Sequence, residues 1–159
     1  MRKQSKKFEK PLKPWDKTRI DEEAKTLRDY GLRRKREIWK MQSILRNYRR
    51  IARDLAASSN KEMEKVLLDK LFRIGLIKKD ANLDDVLALK LENLLDRRLQ
   101  TIVYKKGMSS TMKEARQRIV HGHIAVDGRR TMWPSTIIKI SDEDKIGFYD
   151  KSKIKGGFK

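Results

Sequence analysis

A chain of 159 residues with 38% hydrophobic content supports one domain of moderate size or two small ones, with small cores and much working surface. Its 41 lysines and arginines against 22 aspartates and glutamates leave a formal charge of +19, more than solubility requires, which points to a polyanionic partner. No long uncharged stretch could span a bilayer, no apolar segment follows Met1-Arg2-Lys3 as a secretory leader would, and the lack of cysteine excludes disulfides, thiolate catalysis and cysteine zinc sites.

A cytoplasmic protein is therefore expected. The positive excess sits in residues 1–60 and 101–159, while residues 61–100 are close to neutral. The ends are expected to face the polyanion and the middle to pack internally.

Residues 1–15, "MRKQSKKFEKPLKPW", carry two prolines and little apolar periodicity, so they read as a basic arm, disordered alone or ordered against a phosphate surface. Trp15 favours the second reading, because a bulky aromatic gains by packing. From Asp16 the pattern turns helical, with early acids and a stop at Gly31.

The clearest helix follows. Ile38, Met41, Leu45, Tyr48, Ala52 and Leu55 recur at spacings of three and four residues and define one buried stripe. Arg46, Arg50 and Arg53 fall on the opposite side, with Arg49 at the border. A merely solvated face would interleave acids, yet Asp54 is the only acid between Lys40 and Lys61, so this face reads as a phosphate-binding surface.

Ser58 to Asn60 break and cap a third helix whose apolar face is read as Met63, Val66, Leu67, Leu71 and Ile74, ending at Gly75. Asn82 then caps a further helix running to Gly107 through Leu91, Leu94, Leu95, Leu99, Ile102 and Val103, with a break expected near Leu89. A short helix starting at Ser110 or Thr111 carries Met112, Ala115 and Ile119 and stops at Gly122. "HIAVDGRR" reads as a strand entering an Asp127-Gly128 hairpin, and "STIIKI" and "DKIGFYD" as the other strands of a small twisted sheet. The closing "KSKIKGGFK" is a basic tail.

His121 and His123, the two histidines, flank Gly122. Without cysteine, and with Glu114 and Asp127 as the nearest carboxylates, they lack the partners of a tetrahedral metal site. No nucleophile elbow, zinc-protease motif or nucleotide loop accompanies them, so neither metal, cofactor nor catalysis is expected. Lys113, Gln117 and His121 share a helical face with Arg116 beside it, and such side chains hydrogen-bond phosphates and riboses or stack on bases.

"RRLQTIVYKKGMSSTMKEARQRIVHGHIAVDGRR" resembles the RNA-binding module first recognised in small-subunit ribosomal protein four, over about residues 91–148. The module also occurs in pseudouridine synthases, some aminoacyl-tRNA synthetases and heat-shock proteins. "GLRRKREIWKMQSILRNYRRIARDL" resembles the archaeal and eukaryotic form of that ribosomal family, and the short ending and absent cysteines favour the archaeal type.

The resemblance implies an α+β fold: an arm at 1–15, a helical domain at 16–90, a module of two helices on a short antiparallel sheet at 91–150, and a tail at 151–159. It implies a non-enzymatic primary ribosomal RNA-binding protein that organises a multi-helix junction of the 5′ domain, contributes to translational accuracy, contacts small-subunit protein five and lines the path by which messenger RNA enters. The expected RNA-binding residues are Arg97, Arg98, Lys105, Lys113, Arg116, Gln117, His121, His123, Arg129 and Arg130, extended by Arg46, Arg49, Arg50 and Arg53. The alternatives are a related nucleolar processing component, an RNA-modifying enzyme subunit and a DNA-binding protein.

Overall fold

A computed structural model describes residues 6–58 and 60–152. Most of the expected tail and the first five residues of the arm lie outside them. The described elements are α1 (Lys17–Asp29), α2 (Lys35–Ser58), α3 (Lys61–Ile74), α4 (Leu83–Ala88), α5 (Leu91–Asp96), α6 (Leu99–Lys105), α7 (Met112–Val120), β1 (Ile124–Val126), β2 (Arg129–Arg130), α8 (Ile140–Glu143) and β3 (Ile146–Phe148).

The 24-residue α2 is the axis of the helical region. Ile38 and Met41 pack with Leu32 and Leu95, whereas Leu45 and Ala52 pack with Leu67, Leu71, Val86 and Leu94, so one stripe serves two adjoining cores. Arg46, Arg50 and Arg53 are exposed on its other side, as its periodicity predicts. In α3 the apolar face is narrower than expected. Leu67 and Leu71 are buried, but Met63 in the first turn and Val66, a 100° step from Leu67, are exposed.

The long helix expected after Asn82 is three short ones. The first break is at Leu89, where it was expected, with extended backbone between α4 and α5. The second, at Arg97 and Arg98, has its cause far along the chain: Leu99 donates its N–H to the Thr136 carbonyl at 2.8 Å, and Ile138 donates to the Arg97 carbonyl at 2.9 Å. Those bonds replace helical ones. They also explain why "STIIKI" is not a sheet strand, since its backbone forms a single bridge, Ile137 to Arg98, before α8.

The sheet has the order β2-β1-β3, antiparallel throughout, with Ala125 opposite both Arg130 and Gly147. Asp127 and Gly128 both have positive φ, as a two-residue hairpin of matching twist requires. On this sheet α6 and α7 close a third core of Leu99, Ile102, Val103, Ala115, Ile119, Ile124, Ile138 and Ile146. The result is the expected α+β arrangement, with Leu94 and Leu95 of α5 joining the helical cores and Leu99 the first residue of the module's own.

Two buried polar stitches join the helical region to the module. Gln100 is buried, and its Nε2 lies 2.9–3.1 Å from the carbonyls of Tyr30, Gly31 and Met112. Glu37, near the start of α2, accepts from Arg98 at 2.7 Å and from Arg116 at 3.1 Å through both carboxylate oxygens.

Candidate nucleic-acid interface

Between the start of α2, α7 and the loop after β2 lies a cleft of about 470 Å³. Arg33, Arg34, Arg36, Lys40, Arg98 and Arg116 line it, and Glu37 is its only acid among the described residues. Basic side chains are packed here because α2 begins in the run "RRKRE" and its buried stripe turns the cations outward. A second groove continues along α2, lined by Lys6, Lys7, Arg46 and Arg50. The arm borders it: Glu9 pairs with Arg46 at 3.1 Å, and Phe8 lies 6.0 Å from Trp39. Part of the arm is thus ordered on the chain's own surface, and Trp15 at its end is 90% exposed.

Glu37 organises the cleft. Burial pushes its carboxyl up, but hydrogen bonds and charge from Arg116 and Arg98 outweigh this and hold it below the ordinary carboxylate range. Glu23 repeats the pattern one layer away. Burial raises it, while the Trp39 indole N–H at 2.9 Å, Arg19 at 2.8 Å and Lys35 at 3.3 Å bring it down further. Both carboxylates stay ionised and neutralise cations that are structural.

This sorts the expected RNA-binding residues. Arg98 is the clear correction. It is 1% exposed and paired with Glu37, because the break before α6 turns its side chain inward under α2, so it is removed from the surface. Arg97 is half-buried, donating to Glu143 at 2.8 Å and to the Ile138 carbonyl at 3.1 Å. Arg49 is half-buried too and donates to the Leu89 carbonyl, so the border position on α2 serves the α4–α5 turn. Arg116 is shared between Glu37 and the cleft.

The other expected residues stand outside the core. Arg46, Arg50 and Arg53 are exposed on α2, Arg50 beside Asp54 at 3.0 Å. Lys105 is exposed and pairs with Asp96 at 3.1 Å. Lys113 and Gln117 are exposed on α7, and His121, which caps its C-terminal end, is exposed too. Arg129 and Arg130 are exposed on the edge strand β2, Arg130 donating to the His121 carbonyl at 3.1 Å across Gly122. His123 is half-buried, its Nδ1 2.9 Å from the Ser152 hydroxyl and its ring 6.2 Å from that of His121.

The sequence reading missed Arg33, Arg34, Arg36 and Lys40 as site residues. The signal was the basic run itself, but only the fold shows that it faces Arg116. No group of three or more histidines, cysteines or carboxylates gathers where a metal could sit among the described residues. No described helix is long and apolar enough to cross a membrane.

Comparison with known proteins decides the family. Residues 2–96 match the ribosomal protein S4/S9 N-terminal domain, and residues 97–144 match the S4 domain. The chain belongs to the ribosomal protein S4 family. The small ribosomal subunit protein uS4 of Methanothermobacter thermautotrophicus is 48% identical over 158 residues, covering 97% of this chain and 92% of that protein. The uS4 of Saccharolobus solfataricus is 50% identical over 158 residues, covering 97% of this chain and 87% of its own length. That of Korarchaeum cryptofilum is 49% identical over 148 residues, covering 92% and 89%. The resemblance seen in the two quoted motifs therefore extends along nearly the whole S4-family chain, and these relatives are archaeal.

Proposed function

We propose that the chain is a structural protein of the small ribosomal subunit that binds its ribosomal RNA through the cleft between the helical region and the module, and acts without catalysis. The observation that carries this reading is the family membership of both parts of the chain, joined to a cleft that presents the exposed Arg33, Arg34, Arg36 and Lys40 and the partly exposed Arg116. Phosphate oxygens suit that lining, because guanidinium forks donate two parallel hydrogen bonds to them. The exposed arginines of α2 and the polar edge of α7 extend the surface on either side.

In this reading the protein holds a multi-helix junction of the 5′ domain by bracing RNA segments against two rigidly stitched units, and so supports assembly and decoding accuracy. Contact with small-subunit protein five, and with messenger RNA along its path of entrance, belongs to the same reading and is supported by the family resemblance. Cytoplasmic ribosomes are the expected location.

The test is binding of the full-length protein to a 5′-domain fragment of small-subunit ribosomal RNA, with duplex DNA and an unrelated structured RNA at matched salt. Tighter binding to the fragment by about a thousandfold or more is expected, in line with specific over non-specific ratios. Equal affinity for duplex DNA would favour a general nucleic-acid binder, and conversion of uridines by the purified protein would favour the modifying enzyme.

A further inference from the structure

The loop between β2 and α8 carries an aromatic side chain that nothing in the fold uses. Trp133 is 70% exposed and Met132 beside it is also exposed. An indole is among the larger apolar groups a chain can bury, so leaving one in water on a mobile loop would be unremarkable; this loop is held. Thr131 donates its N–H to the Ile124 carbonyl at 3.0 Å, Thr136 to Trp133 at 3.2 Å, Gln100 to Pro134 at 3.3 Å and Leu99 to Thr136 at 2.8 Å. The backbone on both sides of Trp133 is thereby fixed to β1 and to the start of α6, and the ring is presented at a set position.

Its surroundings identify what it would meet. Pro134 and Ser135, the next two residues, line the cationic cleft, so Trp133 directly precedes the segment that forms part of its wall. Arg129 and Arg130 precede it, and no acid occurs from residue 128 to residue 141. An exposed flat apolar face in a segment whose only charges are positive matches a partner that is itself flat, apolar on its face and negatively charged along its backbone. An unpaired nucleotide has that combination, whereas a duplex presents no free base face except at its ends. We infer that Trp133 is a stacking platform for an unpaired base of the RNA whose phosphates occupy the cleft. This rests on the ribosomal RNA reading above and adds that the RNA at this edge is single-stranded, at a loop, bulge or junction.

The experiment compares wild type with Trp133→Leu and Trp133→Phe in affinity for the 5′-domain RNA fragment across a salt series, and photocrosslinks the wild type to the same fragment carrying 5-bromouridine. Leucine keeps an apolar side chain without a stacking face, and phenylalanine keeps the face. Trp133→Leu is expected to weaken binding about tenfold, a typical loss for one aromatic stack, with the slope against salt unchanged because no phosphate contact is removed. Trp133→Phe should recover most of that loss, and the crosslink should fall on the tryptic peptide of residues 131–139. Thermal melting of the free variants should stay close to wild type, since the side chain is 70% exposed and belongs to none of the three cores.

If wild type prefers the fragment but Trp133→Leu binds equally well and residues 131–139 collect no crosslink, stacking is overturned and the exposed indole belongs to a protein contact. If wild type shows no preference for the fragment, the ribosomal RNA reading itself fails and takes this inference with it.

Discussion

Replacing Glu37 by glutamine probes the joint between the two halves of the molecule. Arg98 is 1% exposed, its Nη2 donates to Glu37 while its Nε and Nη1 have no hydrogen-bond partner among the described residues, and Glu37 is the carboxylate that pairs with it. Removing one member of a buried ion pair costs about 3–5 kcal/mol, because the other charge is left desolvated. The Glu37 side chain is 19% exposed and Arg116 is 24% exposed, so water compensates part of the loss and the lower end applies, about 3 kcal/mol. For a chain of this size that is a fall in melting temperature of about 6–12 °C. Circular-dichroism melting of the free protein at neutral pH measures it. Replacing the pair together, Glu37→Leu with Arg98→Met, should recover most of the loss, since apolar residues of similar volume substitute for buried pairs at little cost. A Glu37→Gln variant melting within about 2 °C of wild type would refute the reasoning, as that is below 1 kcal/mol.

Three further outcomes follow from the same geometry. Both Glu37 and Glu23 have carboxyls held below their ordinary value of 4.5, so the stability they contribute is present above that pH and is lost as pH falls through the folded-state values. The melting difference between wild type and Glu23→Gln should accordingly narrow between pH 6 and pH 3, and a constant difference would contradict it. Gly122→Ala should destabilise by more than Gly107→Ala: both residues have positive φ, costing about 1 kcal/mol for alanine, but only at Gly122 would a new Cβ meet the Arg130 side chain. Adding Arg130→Ala should erase the difference in melting temperature. Replacing Arg46, Arg50 and Arg53 together by alanine should leave the free protein's stability within about 1 kcal/mol while reducing the slope of log affinity against log salt by about 2–3, for three lost phosphate contacts; an unchanged slope would remove α2 from the interface.

Features set by local chemistry were legible in the sequence. The stripe of α2, the stop at Gly122 and the Asp127-Gly128 hairpin each depend on residues within one or two turns of one another, and all three are present. Features set by partners far along the chain were not. The break at Arg97 and Arg98 needs the carbonyl of Thr136 and the N–H of Ile138. The "STIIKI" run has the β-branched composition of a strand, yet its backbone bonds to a helix junction and not to the sheet.

The candidate site divides in the same way. Helical periodicity placed Arg46, Arg50 and Arg53 outside correctly, because side-chain direction on a helix follows from spacing. It had no means of showing that Arg98 turns inward to a carboxylate 61 residues earlier, or that Arg33, Arg34, Arg36 and Lys40 gather opposite Arg116. A motif carries residue types; which of them face a ligand depends on where the chain supplies counter-charges.

The central claim is that the cationic cleft receives small-subunit ribosomal RNA, and ultraviolet crosslinking of the full-length protein to that RNA, with both peptide and nucleotide identified, tests it most directly. Crosslinks should join peptides from residues 33–53 and 112–133 to nucleotides of one junction in the 5′ domain. Crosslinks confined to α3 and α4, or scattered over RNA without preference for that domain, would contradict it.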